Sequence, residues 1–252
     1  MEQTFGLILS AIFGAIFGSY ATLFAYRLPI NESCFGRYFG PKSRCPNCNK
    51  IIRTRELIPI INWLFTLGRC KNCQAKIPRT HLFIELATTF LFMICYLKFS
   101  FSEDFLIYAL ISVCLIILLA TDYTHKVFPD QILYAILTIG LAKRVMVEQT
   151  IIDAVISGAA GIIFATIFYK IFYKEAGGIF AGKNHCLGYA KFILVASVML
   201  NITDFLFYFV TIMAIFTMLL LFNVSTKKNH NNFGYCLIIP FLWLIFSPPL
   251  IS

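Results

Sequence analysis

Five side chains in this sequence have the type and spacing to do chemistry. Cys45-Pro46-Asn47-Cys48 is followed, after 21 intervening residues, by Cys70-Lys71-Asn72-Cys73. Two CxxC knuckles at this separation can close one tetrahedral tetrathiolate site, and zinc is the ion such a site favours. Four protein ligands leave no open position for water, so the site reads as structural. Redox chemistry is the alternative for a CxxC pair; two pairs with no thioredoxin-like pattern around them favour the metal. The fifth side chain is Asp122, which closes an uncharged run beginning at Phe105. A carboxylate at the edge of a bilayer is costly unless it is used or paired, and a solvated helix-ending Asp is the plain alternative. Cys34, Cys95, Cys114, Cys186 and Cys236 lack any matching spacing and read as packing residues.

The elements that must position these residues are membrane helices. Of 252 residues 59% are hydrophobic and only 13% charged, with 27 Phe. A soluble domain of this size could not hide so much apolar surface. A bilayer core of ~30 Å takes ~20 residues of helix, and the apolar runs approach that length. They cover Phe5–Tyr26, Thr80–Leu97, Phe105–Thr121, Gln131–Ala142 extended past Lys143 and Arg144, Ile151–Tyr173, Phe192–Thr203, Phe205–Thr226 and Phe233–Phe246. Most runs exceed the ~10 residues of a barrel strand and all lack its alternation, which predicts helices. The expected fold is therefore an all-α polytopic membrane protein with about eight transmembrane helices and a small zinc-binding insertion. Three regions follow: a first helix (1–27), a tetra-Cys loop (28–79) and a multi-helix domain (80–252).

Charge sets the expected orientation. The 28–79 loop carries Arg37, Lys42, Arg44, Lys50, Arg53, Arg55, Arg69, Lys71, Lys76 and Arg79 against Glu32 and Glu56. Such a loop faces the cytoplasm by the positive-inside rule. Lys126, Lys174, Lys183, Lys227 and Lys228 agree with eight spans, whereas Lys143 and Arg144 fall near an outward loop and conflict. In the cytoplasm disulfides are disfavoured, which again reads the CxxC pairs as metal ligands. The net charge of +9 is thus a topology signal and an attraction to anionic lipid. Nucleic acid is not an expected partner, because the basic loop has little aromatic interleaving.

The order of motifs resembles the bacterial type IV prepilin leader peptidases, membrane aspartic proteases of the GxGD class. Gly18-Ser19-Tyr20 and Tyr26-Arg27-Leu28-Pro29 are similar to the family's opening. Ser43-Arg44-Cys45-Pro46-Asn47-Cys48 is followed by Leu57-Ile58-Pro59-Ile60-Ile61-Asn62-Trp63-Leu64, then Gly68-Arg69-Cys70-Lys71-Asn72-Cys73, with Asn62 where the family has serine. Before the second span the chain reads Pro78-Arg79-Thr80-His81-Leu82 in place of an Arg-Tyr-Pro pattern, and Glu85 matches the family's acid. Asp122-Tyr123-Thr124-His125-Lys126-Val127-Phe128-Pro129-Asp130 matches the family's first catalytic segment, with Asp122 at the catalytic position.

The second aspartate of the family lies in Gly-x-Gly-Asp before the sixth span. The matching stretch here is Cys186-Leu187-Gly188-Tyr189-Ala190-Lys191. Anchoring on Lys191 puts Cys186 at the first glycine, Gly188 at the second and Tyr189 at the aspartate; sliding by two residues puts Lys191 there instead. Either register lacks the acid. An aspartic protease needs two carboxylates sharing one proton, and a phenol of unperturbed pKa ~10 is a donor, not a base.

The resemblance implies a leader peptidase that cuts the basic leader of type IV prepilins or pseudopilins at the cytoplasmic face of the bacterial inner membrane. It also implies methylation of the new N-terminus from S-adenosylmethionine, structural zinc in the cysteine loop, and a lipid setting. The chain shows no glycine-rich nucleotide fingerprint for the methyl donor. The missing second acid opens three routes: an inactive paralogue that holds pilin-like helices, an inactivated variant or decayed product, or an altered site pairing Asp122 with Asp130 or Glu85.

Other features have plainer readings. Gly14 and Gly18 form a GxxxG pair suited to close helix packing or to a homo-oligomer. His185 reads as a solvated loop histidine and Gly177-Gly178 as a flexible loop. Pro240, Pro248 and Pro249 should bend or end the last helix. No internal repeat is evident.

Overall fold

A computed structural model describes residues 2–34, 42–146, 151–171, 183–226 and 234–247. Arg37, Tyr173, Lys174, Gly177, Gly178, Lys227, Lys228, Pro248 and Pro249 lie outside the described residues. The described chain is helical, with only two isolated antiparallel bridges. In order the helices are α1 (Glu2–Arg27), α2 (Ile61–Phe65), α3 (Arg79–Phe99), α4 (Glu103–His125), α5 (Asp130–Met146), α6 (Ile151–Tyr169), α7 (Lys183–Met199), α8 (Ile202–Thr226) and α9 (Gly234–Phe246).

By length and composition, four segments among the described residues can cross a membrane: Glu2–Ile30, Arg79–Phe99, Glu103–His125 and Ile152–Tyr169. Cys186–Met199, Ile202–Met218 and Gly234–Phe246 are shorter apolar helices. Each of the eight expected apolar runs is represented by a helix. Several ends shift by a few residues, and the largest difference is at α7, which begins at Lys183, not at Phe192. Its first turns are polar enough to read as a loop, yet they are helical, so the backbone of His185 lies in a helix and not in a loop.

The chain divides into two compact units, 1–120 and 121–252, with the boundary inside α4. In the first unit α1 packs on α3. A Cβ on Gly14 would lie 2.7 Å from Thr89 Cα, and one on Gly18 would lie 2.8 Å from Glu85 Cα. Backbone cannot yield as a side-chain tip can, so these glycines permit the contact. The GxxxG face is therefore filled by α3 of the same chain. Phe92 of α3 stacks on Phe17 of α1 at 5.5 Å and meets Phe105 of α4 edge-on at 6.1 Å. On the outer side of the same helices Phe5, Phe83 and Phe90 are each more than 60% exposed. Exposed aromatic surface of this extent belongs in lipid.

In the second unit α7 is the buried element. Phe192, Ile193, Ala196 and Ser197 are fully covered. Gly161 lets α6 approach Ser197, and Gly140 lets α5 approach Met199. Pro240 sits inside α9 and withdraws one amide from its ladder. One turn earlier, Tyr208 of α8 donates to Leu237 O at 3.0 Å.

Of the two cations that conflict with the expected orientation, Arg144 is engaged inside the fold. It is 6% exposed and donates from Nη2 to Leu200 O at 2.6 Å, just past the end of α7. A cation at a helix C-terminus satisfies a free carbonyl and the macrodipole together. Arg144 of α5 thus caps the end of α7.

Gly18→Leu should lower thermal stability in detergent by about 1–3 kcal/mol or more, by overpacking against backbone. Ile16→Leu, on a side chain 43% exposed, should stay within about 0.5 kcal/mol of the native chain. Equal unfolding midpoints for the two variants would contradict the α1–α3 packing account.

Candidate functional sites

The cysteine quartet is built from two copies of one turn. Cys45 N donates to Lys50 O at 3.0 Å and Asn49 N to Cys45 O at 2.9 Å. Cys70 N donates to Ala75 O at 2.9 Å and Gln74 N to Cys70 O at 2.9 Å. Asn49 and Gln74 both have positive φ, and the bridges Arg44–Ile51 and Arg69–Lys76 close the two turns alike. The Cys-x-Asn-Cys repeat is thus a structural repeat, which sequence inspection overlooked because it is so short.

The asparagines cross between the turns. Asn47 Nδ2 donates to Cys73 Sγ at 3.5 Å, and the Asn72 side chain interacts with Cys48 in the same sense. Hydrogen bonds from the Asn47 side chain and the Ala75 amide hold the Cys73 thiol down at about 6. The Lys50 amide and the Asn72 side chain lower Cys48 likewise. Thiolates are the ligand form, so these bonds favour metal uptake.

The four sulfurs lie within 4.8 Å of one another, and Cys45 Sγ is 3.7 Å from Cys73 Sγ. A Zn–S bond of about 2.3 Å implies a tetrahedron edge of about 3.8 Å. The donor set could therefore hold a metal ion with little rearrangement.

The rest of the loop supports these turns. Gly68 has φ +66°, and a Cβ there would lie 2.6 Å from the Trp63 ring. This explains why tryptophan and glycine stand at this spacing before Cys70. Ile60 also has positive φ (61°), which is costly for a β-branched residue. Its amide donates to Glu85 Oε2 at 2.7 Å, tying the start of α2 to α3. Glu85 is thereby engaged as a tether for the loop.

The second site lies wholly within residues 121–252. Asp122 stands in the last turn of α4 and is 1% exposed. Lys126, in a left-handed conformation, donates its amide to Asp122 O at 3.1 Å and ends the helix there. The Asp122 carboxylate accepts the Tyr189 hydroxyl at Oδ1 (2.8 Å) and the Gly234 amide at Oδ2 (2.9 Å). Burying a carboxylate is affordable only with such donors.

Tyr189 is 2% exposed and packs edge-on against Phe128 at 5.2 Å. Gly188 makes room, since a Cβ there would lie 3.1 Å from Phe128 Cβ. A Cβ on Gly234 would lie 2.6 Å from Asp122 Oδ2. Thus the C-terminal end of α4 and the N-terminal end of α9 meet at one carboxylate, beside the body of α7.

Of the residues singled out from sequence, the structure brings Asp122 and Tyr189 together. Lys191, the other register's residue, is turned to Asp130 instead, at 2.7 and 2.9 Å. That pair is half exposed and contributes little to stability. Asp130 is thus engaged with Lys191. Gly234, Phe128, Asn47 and Asn72 were not singled out. Only the asparagines left a sequence signal, by recurring at the same place in both knuckles.

Residues 12–99 match the family model described as the bacterial peptidase A24 N-terminal domain. The chain is 30% identical over 206 residues to the type 4 prepilin-like proteins leader peptide-processing enzyme of Escherichia coli O78:H11, covering 75% of this chain and 74% of the relative. It is 31% identical over 169 residues to the prepilin leader peptidase/N-methyltransferase of Bacillus subtilis, covering 66% of each. The Legionella pneumophila enzyme of the same name is 26% identical over 214 residues, covering 77% and 72%. No solved structure matches. Fold and sites together define a helical membrane protein with a tetracysteine turn pair and a buried helix-end aspartate. The chain belongs to the prepilin leader peptidase/N-methyltransferase family.

Purified protein should carry about one equivalent of metal per chain. Cys70→Ser should lose it and expose the loop to protease. Asn47→Ala should weaken retention against a chelator while leaving the four ligands in place. Equal metal retention in native and Cys70→Ser protein would contradict the four-thiolate reading.

Proposed function

We propose that this protein processes the leader of type IV prepilins or pseudopilins at the cytoplasmic face of the bacterial inner membrane. Family membership carries the reading. In it Asp122 is the catalytic residue of peptide cleavage, activating water. Tyr189 stands in the partner's position; its one hydroxyl proton, given to Asp122 here, would have to turn to the carbonyl oxygen of the scissile bond during the reaction. Substrate arrives as an apolar helix in lipid, with its basic leader on the cytoplasmic side.

Zinc fits the cysteine quartet by donor type and by the sulfur spacing. Held by Cys45, Cys48, Cys70 and Cys73, it would lock the two turns of the cytoplasmic loop together and take no part in bond breaking. The family's second activity methylates the new N-terminal amine, and S-adenosylmethionine would supply the methyl group. The loop has no glycine-rich cradle for that nucleoside, and no residue is assigned to it. The division into 1–27, 28–79 and 80–252 then separates an anchoring helix, the zinc loop and the peptidase-type domain.

A second reading has a specific observation in its favour. Tyr189 already donates to Asp122, where a proton-sharing carboxylate pair is the chemistry of aspartic proteases. In that reading the chain binds pilin-like helices without cutting them.

Prepilin cleavage in membranes containing the native chain, Asp122→Ala or Tyr189→Asp separates the two. Leader processing by the native chain, lost in Asp122→Ala, is the expected result. Silence in the native chain with cleavage in Tyr189→Asp would establish the holding reading on an intact scaffold. Cleavage that persists in Asp122→Ala would overturn the role given to Asp122.

A further inference from the structure

The Asp122 carboxylate has a second partner that no motif points to. Gly234 opens α9, a helix of 13 residues, and its amide reaches Asp122 Oδ2 at 2.9 Å across 112 residues of sequence. The first amides of a helix have no partner within it, so this one is free to serve another group. The N-terminal end of the helix also carries the positive pole of the macrodipole, which suits a carboxylate.

The residue type is dictated by the same contact. A Cβ at position 234 would fall 2.6 Å from Asp122 Oδ2, 2.8 Å from Cγ and 3.1 Å from Cβ. A separation under 3.0 Å is not a contact real Cβ atoms make, so any side chain there must displace the carboxylate. Gly234 is itself buried, as is Cys236 two residues on. The donor is therefore part of the packed end of α9, fixed by the helix it begins.

From these observations we infer that Gly234 is a positioning residue for Asp122. Its amide fixes one carboxylate oxygen while the Tyr189 hydroxyl takes the other, so the carboxylate plane is set from two sides. The pair of donors comes from different helices, α7 and α9. Substituting Tyr189 would thus leave Asp122 still held at Oδ2. The functional half of this inference rests on the reading of Asp122 as the reacting acid; the structural half does not.

Residue-resolved amide hydrogen exchange on the full-length protein in lipid nanodiscs tests it. Asp122→Ala should speed exchange of the Gly234 amide by about tenfold or more, the loss of a charge-assisted hydrogen bond. The Leu244 amide, deep in α9, should be unchanged. Asp122→Asn, which keeps an acceptor oxygen, should restore most of the protection. A Gly234 amide that exchanges equally in native and Asp122→Ala protein would overturn the inference.

A second variant covers the case in which Asp122→Ala loosens all of α9 and Leu244 also speeds up. Gly234→Ala retains the amide but its Cβ must push the carboxylate away. With Leu244 still protected, the position-234 amide should lose protection, and prepilin cleavage should fall about tenfold or more in whichever chain cleaves, native or Tyr189→Asp. Native protection and native cleavage in Gly234→Ala would overturn the positioning role. If no chain cleaves, the peptidase reading fails, and the exchange results alone decide the role of Gly234.

Discussion

A carboxylate buried at the end of an apolar helix is the constraint around which residues 121–252 are arranged. Asp122 is 1% exposed, and such a group is tolerated only when donors replace water. The donors are an α7 phenol and an α9 amide. Each in turn imposes demands. Tyr189 is held beside Phe128, where Gly188 makes for close packing. The α9 amide must approach closely, which requires Gly234 to lack a side chain. The αL turn at Lys126 and the Phe128-Pro129 link deliver Phe128 to that place before α5 begins at Asp130.

The 1–120 unit answers to a different constraint. Two short turns must present four sulfurs to one point, and they have almost no core with which to do so. Crossed asparagines, positive-φ residues after each knuckle, and the Gly68–Trp63 contact supply the order. Glu85 then anchors the loop's α2 to α3 through the strained Ile60 amide. That the same helix also takes the glycine face of α1 makes α3 the frame of this unit.

The fold was legible where lipid is the solvent, because long apolar runs with few charges have few other destinies. The cysteine quartet was legible because metal ligation needs fixed residue types at short spacing. Asp122 and Tyr189 were legible through motif order, and the structure sets them in contact. What stayed hidden depends on distance in space. Gly234 matters through an approach to a residue 112 positions away, and a glycine before an apolar run carries no mark of that. The polar first turns of α7, from Lys183, resemble a loop by composition and are helical by packing. Arg144 read as a loop charge because its partner, Leu200 O, is a backbone atom.

The central claim is that the Asp122 side chain accepts from the Tyr189 hydroxyl and the Gly234 amide. Isotope-edited infrared difference spectroscopy, native minus Asp122→Asn, isolates that side chain in the intact membrane protein. The account predicts Asp122 side-chain bands that shift when Tyr189 is replaced by Phe. Asp122 bands that stay unmoved in Tyr189→Phe would contradict it.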